Sequence, residues 1–413
     1  MTDDLDRALR GTLTTAARKA PPAEPGLLQR IEAGHRRRRR RRASAAALAA
    51  AVVLGGTGAA GGLMRSGEDA PPVAAPGKLK PVSRAALGAP VKVREQWPDA
   101  VRSIPGELPN GRELHPVDLL DGGTLVGATW SSLQKPDELW SYDLDTQKAA
   151  VITDIVVPRG SKIYASDITV GGGQVVWWLS YRVEGRDTVE IWGAPVAGGA
   201  ARKVTGMRGD SVSTLLIDGD TVVWGMEDAV YRVPLPGGTP EEIPGTGGFE
   251  IVSWPWIGSP AADGDRAGYI RYRSLWNVRT GERRGAHLAP LKGAWSCGVI
   301  WCVGATSRVR GATDDRGMVT AVQLRDGRAG KALPFDDPMG PGRQIVYGRF
   351  LPYFPKGLRT ENHVLYDVET GKLLDTGIRR YNEVMGRARN DRDPHYFVTN
   401  KDGTTLIDLS KIR

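Results

Sequence analysis

Cysteine is nearly absent from this chain: of 413 residues only Cys297 and Cys302 carry a thiol. Two cysteines cannot build a zinc cluster, and they permit one disulfide. Histidine is scarce as well. His35, His115, His287, His363 and His395 stand singly, without the spacing of a metal pair or of a base beside a nucleophile. The G-x-S-x-G nucleophile elbow, the H-E-x-x-H helix and the P-loop are all missing. Asp314-Asp315-Arg316-Gly317 and Asn390-Asp391-Arg392-Asp393 carry acids but do not spell the D-x-D-x-D-G calcium loop. Catalytic residues, cofactor-binding residues and metal ligands are therefore not expected, and neither is enzyme activity.

Positive charge is present but concentrated. Residues 1–42 hold 12 Lys+Arg against 5 Asp+Glu, most of the formal net charge of +9, and the remainder of the chain is close to neutral. Arg36, Arg37, Arg38, Arg39, Arg40, Arg41 and Arg42 run directly into 22 residues, Ala43 to Met64, that carry no charge. A basic block abutting an apolar run of bilayer-spanning length reads as a membrane anchor with a cytoplasmic N-terminus. The arginines then set topology and meet anionic lipid headgroups. Seven arginines also suit nucleic acid, but the adjoining apolar run favours lipid, so no nucleic-acid partner is expected. The run is rich in Ala and Gly, and Gly58, Ala59 and Ala60 leave a cleaved export signal as the alternative.

On the anchor reading, residues 1–42 are a short basic cytoplasmic segment, 43–64 a single transmembrane helix, 65–95 a Pro/Ala-rich spacer and 96–413 an extracytoplasmic domain of a plasma-membrane protein. Within the first segment, Leu5, Ala8, Leu9 and Leu13 lie at helical spacing before Pro21-Pro22. Such short helices are either loosely ordered or dock on a partner.

From about residue 96 the pattern changes to short apolar and aromatic runs separated by Gly, Asp and Pro. One element alternates and ends in a tight turn, as in Ile191-Trp192-Gly193-Ala194-Pro195-Val196 before Gly198-Gly199, or Val230-Tyr231-Arg232-Val233-Pro234-Leu235 before Gly237-Gly238. Marked at Trp140, Trp192, Tyr231, Trp276, Ala321, Tyr366 and Asp408, successive gaps are 52, 39, 45, 45, 45 and 42 residues. A second element is apolar on both faces: Val175-Val176-Trp177-Trp178, Val222-Val223-Trp224, Ala267-Gly268-Tyr269-Ile270 and Val299-Ile300-Trp301. A strand buried between neighbouring sheets reads as a continuous apolar run, whereas one nearer a rim alternates. Strands of both kinds in units of about 45 residues suit a propeller blade.

With these repeats, residues 100–413 resemble the TolB-like and WD-repeat-like propellers, although Trp-Asp and Gly-His pairs are absent from the region. The resemblance implies an all-β, six- or seven-bladed β-propeller behind the N-terminal transmembrane helix. A β-sandwich array is the alternative, and even spacing favours one closed ring. Closure is expected from His395 to Asn400 and Thr405 to Ser410 pairing with a strand from about 112–130. The N-terminal 65 residues resemble small membrane proteins encoded beside extracytoplasmic-function sigma factors in high-GC Gram-positive bacteria. That implies a sigma factor as a cytoplasmic partner, yet the His-x-x-x-Cys-x-x-Cys motif of zinc-binding anti-sigma domains is missing.

Two further groups stand out. Val299-Ile300-Trp301 matches the doubly buried element, so Cys297 and Cys302 fall on adjoining strands about Gly298 and are expected to form a disulfide, with buried thiols as the alternative. Trp254-Pro255-Trp256 and Tyr353-Phe354 lie beside prolines in apparent loops. Trp254, Trp256, Tyr353 and Phe354 are accordingly candidates for recognising a sugar or peptide, or else rings packed between blades. Asp218-Gly219-Asp220 and Asp263-Gly264-Asp265 read as hairpin turns rather than a glycosidase carboxylate pair. The expected function is a non-enzymatic interaction or sensing module for an envelope protein or glycan ligand. The alternatives are a regulator of a sigma factor and a cell-envelope glycan or peptide hydrolase.

Overall fold

The computed structural model describes residues 78–413 apart from 121–122, 133–134, 159, 261–269, 292, 307–319, 335–343, 354–361, 380–384, 388–391 and 401–402. Arg36 to Arg42, the apolar run 43–64 and spacer residues 65–77 lie outside the described residues. Among the described residues no helix is long and apolar enough to cross a membrane.

Among the described residues seven sheets follow one another along the chain as the blades of a β-propeller. Blade one comprises His115–Leu119, Thr124–Ser132, Lys135–Asp143 and Ala149–Asp154. Blade two has longer strands, Ser161–Gly171, Gln174–Val183, Arg186–Pro195 and Arg202–Arg208. Blade three is Thr214–Asp218, Thr221–Gly225, Val230–Pro234 and Glu241–Glu242, and blade four is Glu250–Ser253, Trp256–Gly258, Ser274–Asn277 and Arg283–Gly285. Blade five consists of Gly293–Cys297, Trp301–Thr306, Thr320–Leu324 and Lys331–Leu333; blade six contains Phe350–Tyr353, Asn362–Asp367 and Leu373–Arg379. Met385–Arg387, His395–Asn400 and Gly403–Asp408 belong to blade seven. Each of the seven spacing marks falls in a different blade.

Burial explains the two kinds of strand. Val175, Val176, Trp177, Trp178 and Leu179 are all buried in the second strand of blade two, because a neighbouring blade packs on either face. In the third strand of blade three, Val230 and Val233 are buried while Arg232 is exposed. Blades one to three are also stitched at their rims by the Gly-Gly turns. Gly199 N donates to Ile152 O of blade one at 3.0 Å, and Gly238 N donates to Val204 O of blade two at 3.3 Å. Gly237 has φ of +104°, and a Cβ there would sit 2.8 Å from Val204 O. Only glycine lets this turn approach so closely.

The largest departure from expectation lies before blade one. Strand β1 (Lys80–Pro81) pairs in parallel with Lys331–Leu333 of blade five, and β2 (Val91–Lys92) in parallel with Leu373–Arg379 of blade six. Strand β3 (Val101–Ile104) pairs antiparallel with Gly403–Asp408 of blade seven. The stretch expected to be spacer up to residue 95 thus joins the fold from residue 78, held by Leu87 and Val93, which are 4% and 0% exposed. Pairs only two residues long leave no periodicity to read. The partner of the last strands is correspondingly Val101–Ile104, not a strand from 112–130, which belongs to blade one. Two proposed repeat elements are also displaced. In blade five the second strand begins at Trp301, with Val299 and Ile300 in the turn before it, and Ile270 joins a short strand outside blade four's own sheet.

Candidate functional site

A cavity of about 620 Å³ lies on the ring axis. Its walls come from the first strands of blades one to four, through Asp118, Thr169, Ser213–Ile217 and Glu250–Ser253, together with Trp254. Residues Gln344, Arg392 and Asp393, near blades six and seven, complete it with Arg271 and Tyr272. The last two mark an unusual crossing. Ile270–Arg271, from the connection between the second and third strands of blade four, pairs in parallel with Gly293–Cys297 on the inner edge of blade five.

Glu250 organises this wall. Its Oε2 accepts from the Tyr272 hydroxyl at 2.5 Å and from Arg271 Nη2 at 3.0 Å. Burial, and then the Glu250 carboxylate, push the Tyr272 hydroxyl well above the usual phenol range, so it stays a donor. Tyr272 itself has φ of +57°, a conformation that a bulky residue keeps only where its surroundings impose it. Arg325 imposes it: its guanidinium donates to Tyr272 O at 2.8 Å, Arg273 O at 3.0 Å and Gly298 O at 3.0 Å. Burial lowers the Arg325 pKa to about 10, still far above neutrality, so those bonds come from a cation.

A second fixed carboxylate stands beside the cavity. Asp218, at the end of the first strand of blade three, accepts from Trp254 Nε1 of blade four at 2.8 Å and pairs with Arg279. The Arg279 bond, with help from Trp254 and against partial burial, holds the Asp218 carboxyl below its usual range. Asp118 Oδ1 accepts from Leu119 N at 2.9 Å, and Asp393 Oδ1 from His395 N at 2.8 Å. Among the described residues no group of three or more His, Cys, Asp or Glu is placed to hold a metal ion.

Of the four aromatic candidates, Trp254 lines the cavity, with its indole fixed by Asp218. Trp256 is 3% exposed, with the Arg284 guanidinium 4.3 Å from its ring centroid, and Tyr353 is 1% exposed between blades five and six. Both are packing residues. Phe354 lies outside the described residues. Cys297 and Cys302 are direct cross-strand partners in blade five, bonded with a Cα separation of 4.0 Å, and neither lines the cavity. Glu250, Arg271, Tyr272 and Arg325 carry no sequence signal, since their meeting depends on the crossing strand. Asp218 sits in the hairpin turn that Asp218-Gly219-Asp220 indicates, and its bond to the next blade is invisible from that motif.

No protein-family model matches the sequence, and no curated protein is found as a relative. Solved structures similar in fold include Kuenenia stuttgartiensis hydrazine synthase, at 15% identity and a TM-score of 0.40 over 74% of this chain and 96% of that one. Another is the β-propeller domain of Myceliophteria thermophila Cps50 (Swd1), at 11% identity and a TM-score of 0.39 over 74% and 99%. A third is an oligogalacturonate lyase in complex with manganese, at 10% identity and a TM-score of 0.31 over 71% and 76%.

Proposed function

We propose that this protein is a non-enzymatic binding module, a propeller that presents its axial cavity outside the cytoplasm on a single N-terminal membrane anchor. The observation that carries the binding reading is the cavity itself, whose polar side chains are held in place by the frame. Tyr272 and Arg271 fix Glu250, while Asp218 fixes Trp254. Oriented polar groups around a concave volume are what recognition requires. Asp218 is kept ionised, as suits an acceptor; a general acid needs its carboxyl raised toward the working pH.

The external location rests on Arg36 to Arg42 ahead of residues 43–64. It is supported by the Cys297–Cys302 bond, since disulfides persist in oxidising compartments. The ligand on this reading is an envelope protein segment or glycan, and a sigma factor is the proposed partner for residues 1–42.

Full-length protein in detergent, compared with a Thr214→Trp variant that fills the cavity, tests the binding reading. A cell-envelope extract should raise the melting temperature of the wild type and leave the variant unmoved. Equal shifts would remove the cavity as the site. For topology, alkaline phosphatase fused after Arg413 should be active; activity of a cytoplasmic reporter alone at that position would reverse the anchor.

A further inference from the structure

The two oxygens of Glu250 are used unequally. Oε2 takes both bonds, from Tyr272 and Arg271, while Oε1 has no hydrogen-bond partner among the described residues. The side chain is about one-third exposed at the cavity wall. One oxygen is therefore locked and the other offered, which turns a flexible carboxylate into an aimed acceptor. The Ser213 and Ser253 hydroxyls likewise have no side-chain partner among the described residues, and both line the same cavity.

The wall carries charge of both signs, from Asp118, Glu250 and Asp393 and from Arg271 and Arg392. Arg271 neutralises Glu250, and Arg279 neutralises Asp218. Asp118 and Asp393 are tied to backbone N–H groups. An anionic ligand drawn to Arg271 would have to displace Glu250, and a cationic one drawn to Glu250 would compete with Arg271. Either would break a pair that the frame holds. What the wall offers instead is a fixed acceptor, hydroxyls that both donate and accept, and apolar surface from Val170, Leu216 and Ile217. A molecule with hydroxyls on its edges and C–H groups on its faces satisfies all three at once. Trp254, immobilised by Asp218, adds aromatic surface against which such C–H faces pack.

We infer that the axial cavity binds a short neutral saccharide, with Glu250 Oε1 accepting from its ring hydroxyls. This rests on the binding reading above and narrows it to one ligand class. The volume of about 620 Å³ falls within the roughly 300–1,000 Å³ of pockets that enclose small organic ligands.

The probes are maltose, cellobiose and N,N′-diacetylchitobiose, set against a glucuronic-acid disaccharide and a dialanine peptide. Each is titrated calorimetrically into full-length protein held in a detergent without sugar headgroups. At least one neutral disaccharide should bind. Glu250→Gln should weaken it tenfold or more, Tyr272→Phe severalfold by freeing the carboxylate, and Thr214→Trp should abolish it. Where Glu250→Gln lowers the melting temperature, the Tyr272→Phe series still decides the role of the aimed oxygen. Failure of all neutral disaccharides, stronger binding of the acidic disaccharide or the peptide, or unchanged affinity in both variants would overturn the inference. The envelope-extract experiment separates the two levels. A wild-type shift that Thr214→Trp abolishes, with no disaccharide binding, sinks the saccharide and spares the cavity; equal shifts sink both.

Discussion

Blades one to three are each made of consecutive strands, and blade four departs from this only where Ile270–Arg271 crosses to blade five, whereas blades five to seven take their outermost strand from residues 80–104 at the far end of the described chain. In the first group, pairing partners are close in sequence and the Gly-Gly turns of blades two and three fasten each to its predecessor. The second group depends on a strap that reaches blade five, then six, then seven. Its pairings close long loops, which costs entropy that local hairpins avoid. The strap also covers strand edges that would otherwise be open. The difference teaches that a run of equal repeats can be held together by two unlike devices.

The largest effect should come from deleting residues 78–104. This uncovers three edges and removes Val93, Ala100 and Val101 from the cluster shared by blades six and seven. Cooperative thermal unfolding should be lost. A truncated chain melting in one transition at the wild-type midpoint would show that the strap is dispensable and the contrast false.

Next is Arg349, which pairs with the 2%-exposed Asp367 at 2.7 Å and donates to Ile412 O at 3.0 Å, tying blade six to the C-terminus. Arg349→Ala strands a buried carboxylate and should cost roughly 3–5 kcal/mol by denaturant unfolding. Hydrogen exchange should show the loss centred on blades six and seven. Loosening concentrated in blades one to three would contradict the division.

In the locally built half, Gly237→Ala meets both a positive φ and the Val204 carbonyl, and should cost roughly 1–3 kcal/mol. Gly198→Ala has its closest atom 3.7 Å away and should cost less. Equal costs would show that the approach to Val204 is not what selects glycine. Replacing both Cys297 and Cys302 by Ser should cost at most about 2 kcal/mol, because so short a loop restricts the unfolded chain little. Alkylation of both thiols in untreated, unreduced protein would instead show that the bond does not form.

Acid gives the smallest and most graded test. Burial opposes ionisation of Asp367, but bonds from Arg349 and Thr370 outweigh it and hold its carboxyl below the usual carboxylate range. A depressed carboxyl contributes stability in full above its unfolded value and loses it as pH falls through the folded one. Stability should therefore decline below about pH 4, and less steeply in Asp367→Asn. Parallel pH curves for the two proteins would remove Asp367 as a contributor.

Much of this fold was legible because its repeat is written in side-chain character. Trp177 and Trp224 mark equivalent doubly buried strands, and turns such as Asp326-Gly327 and Thr370-Gly371 punctuate the chain at the expected intervals. The strap escaped notice because β1 and β2 are only two residues long, and two residues carry neither alternation nor propensity. The site was harder still. Trp254 was visible as an aromatic beside a proline, but Trp256 carries the same signal and is core.

The sequence by itself determined the repeat length, the all-β class, one repeat mark for each of the seven sheets and the neighbouring placement of the two cysteines. Each depends on residue character read locally along a strand or turn. Only the tertiary structure decided that residues 80–104 close three blades and that Ile270–Arg271 crosses to blade five. It also decided that Glu250, Tyr272 and Arg325 meet at one wall. Those outcomes depend on which strand edges remain unpaired once the ring has formed, and an edge exists only in three dimensions.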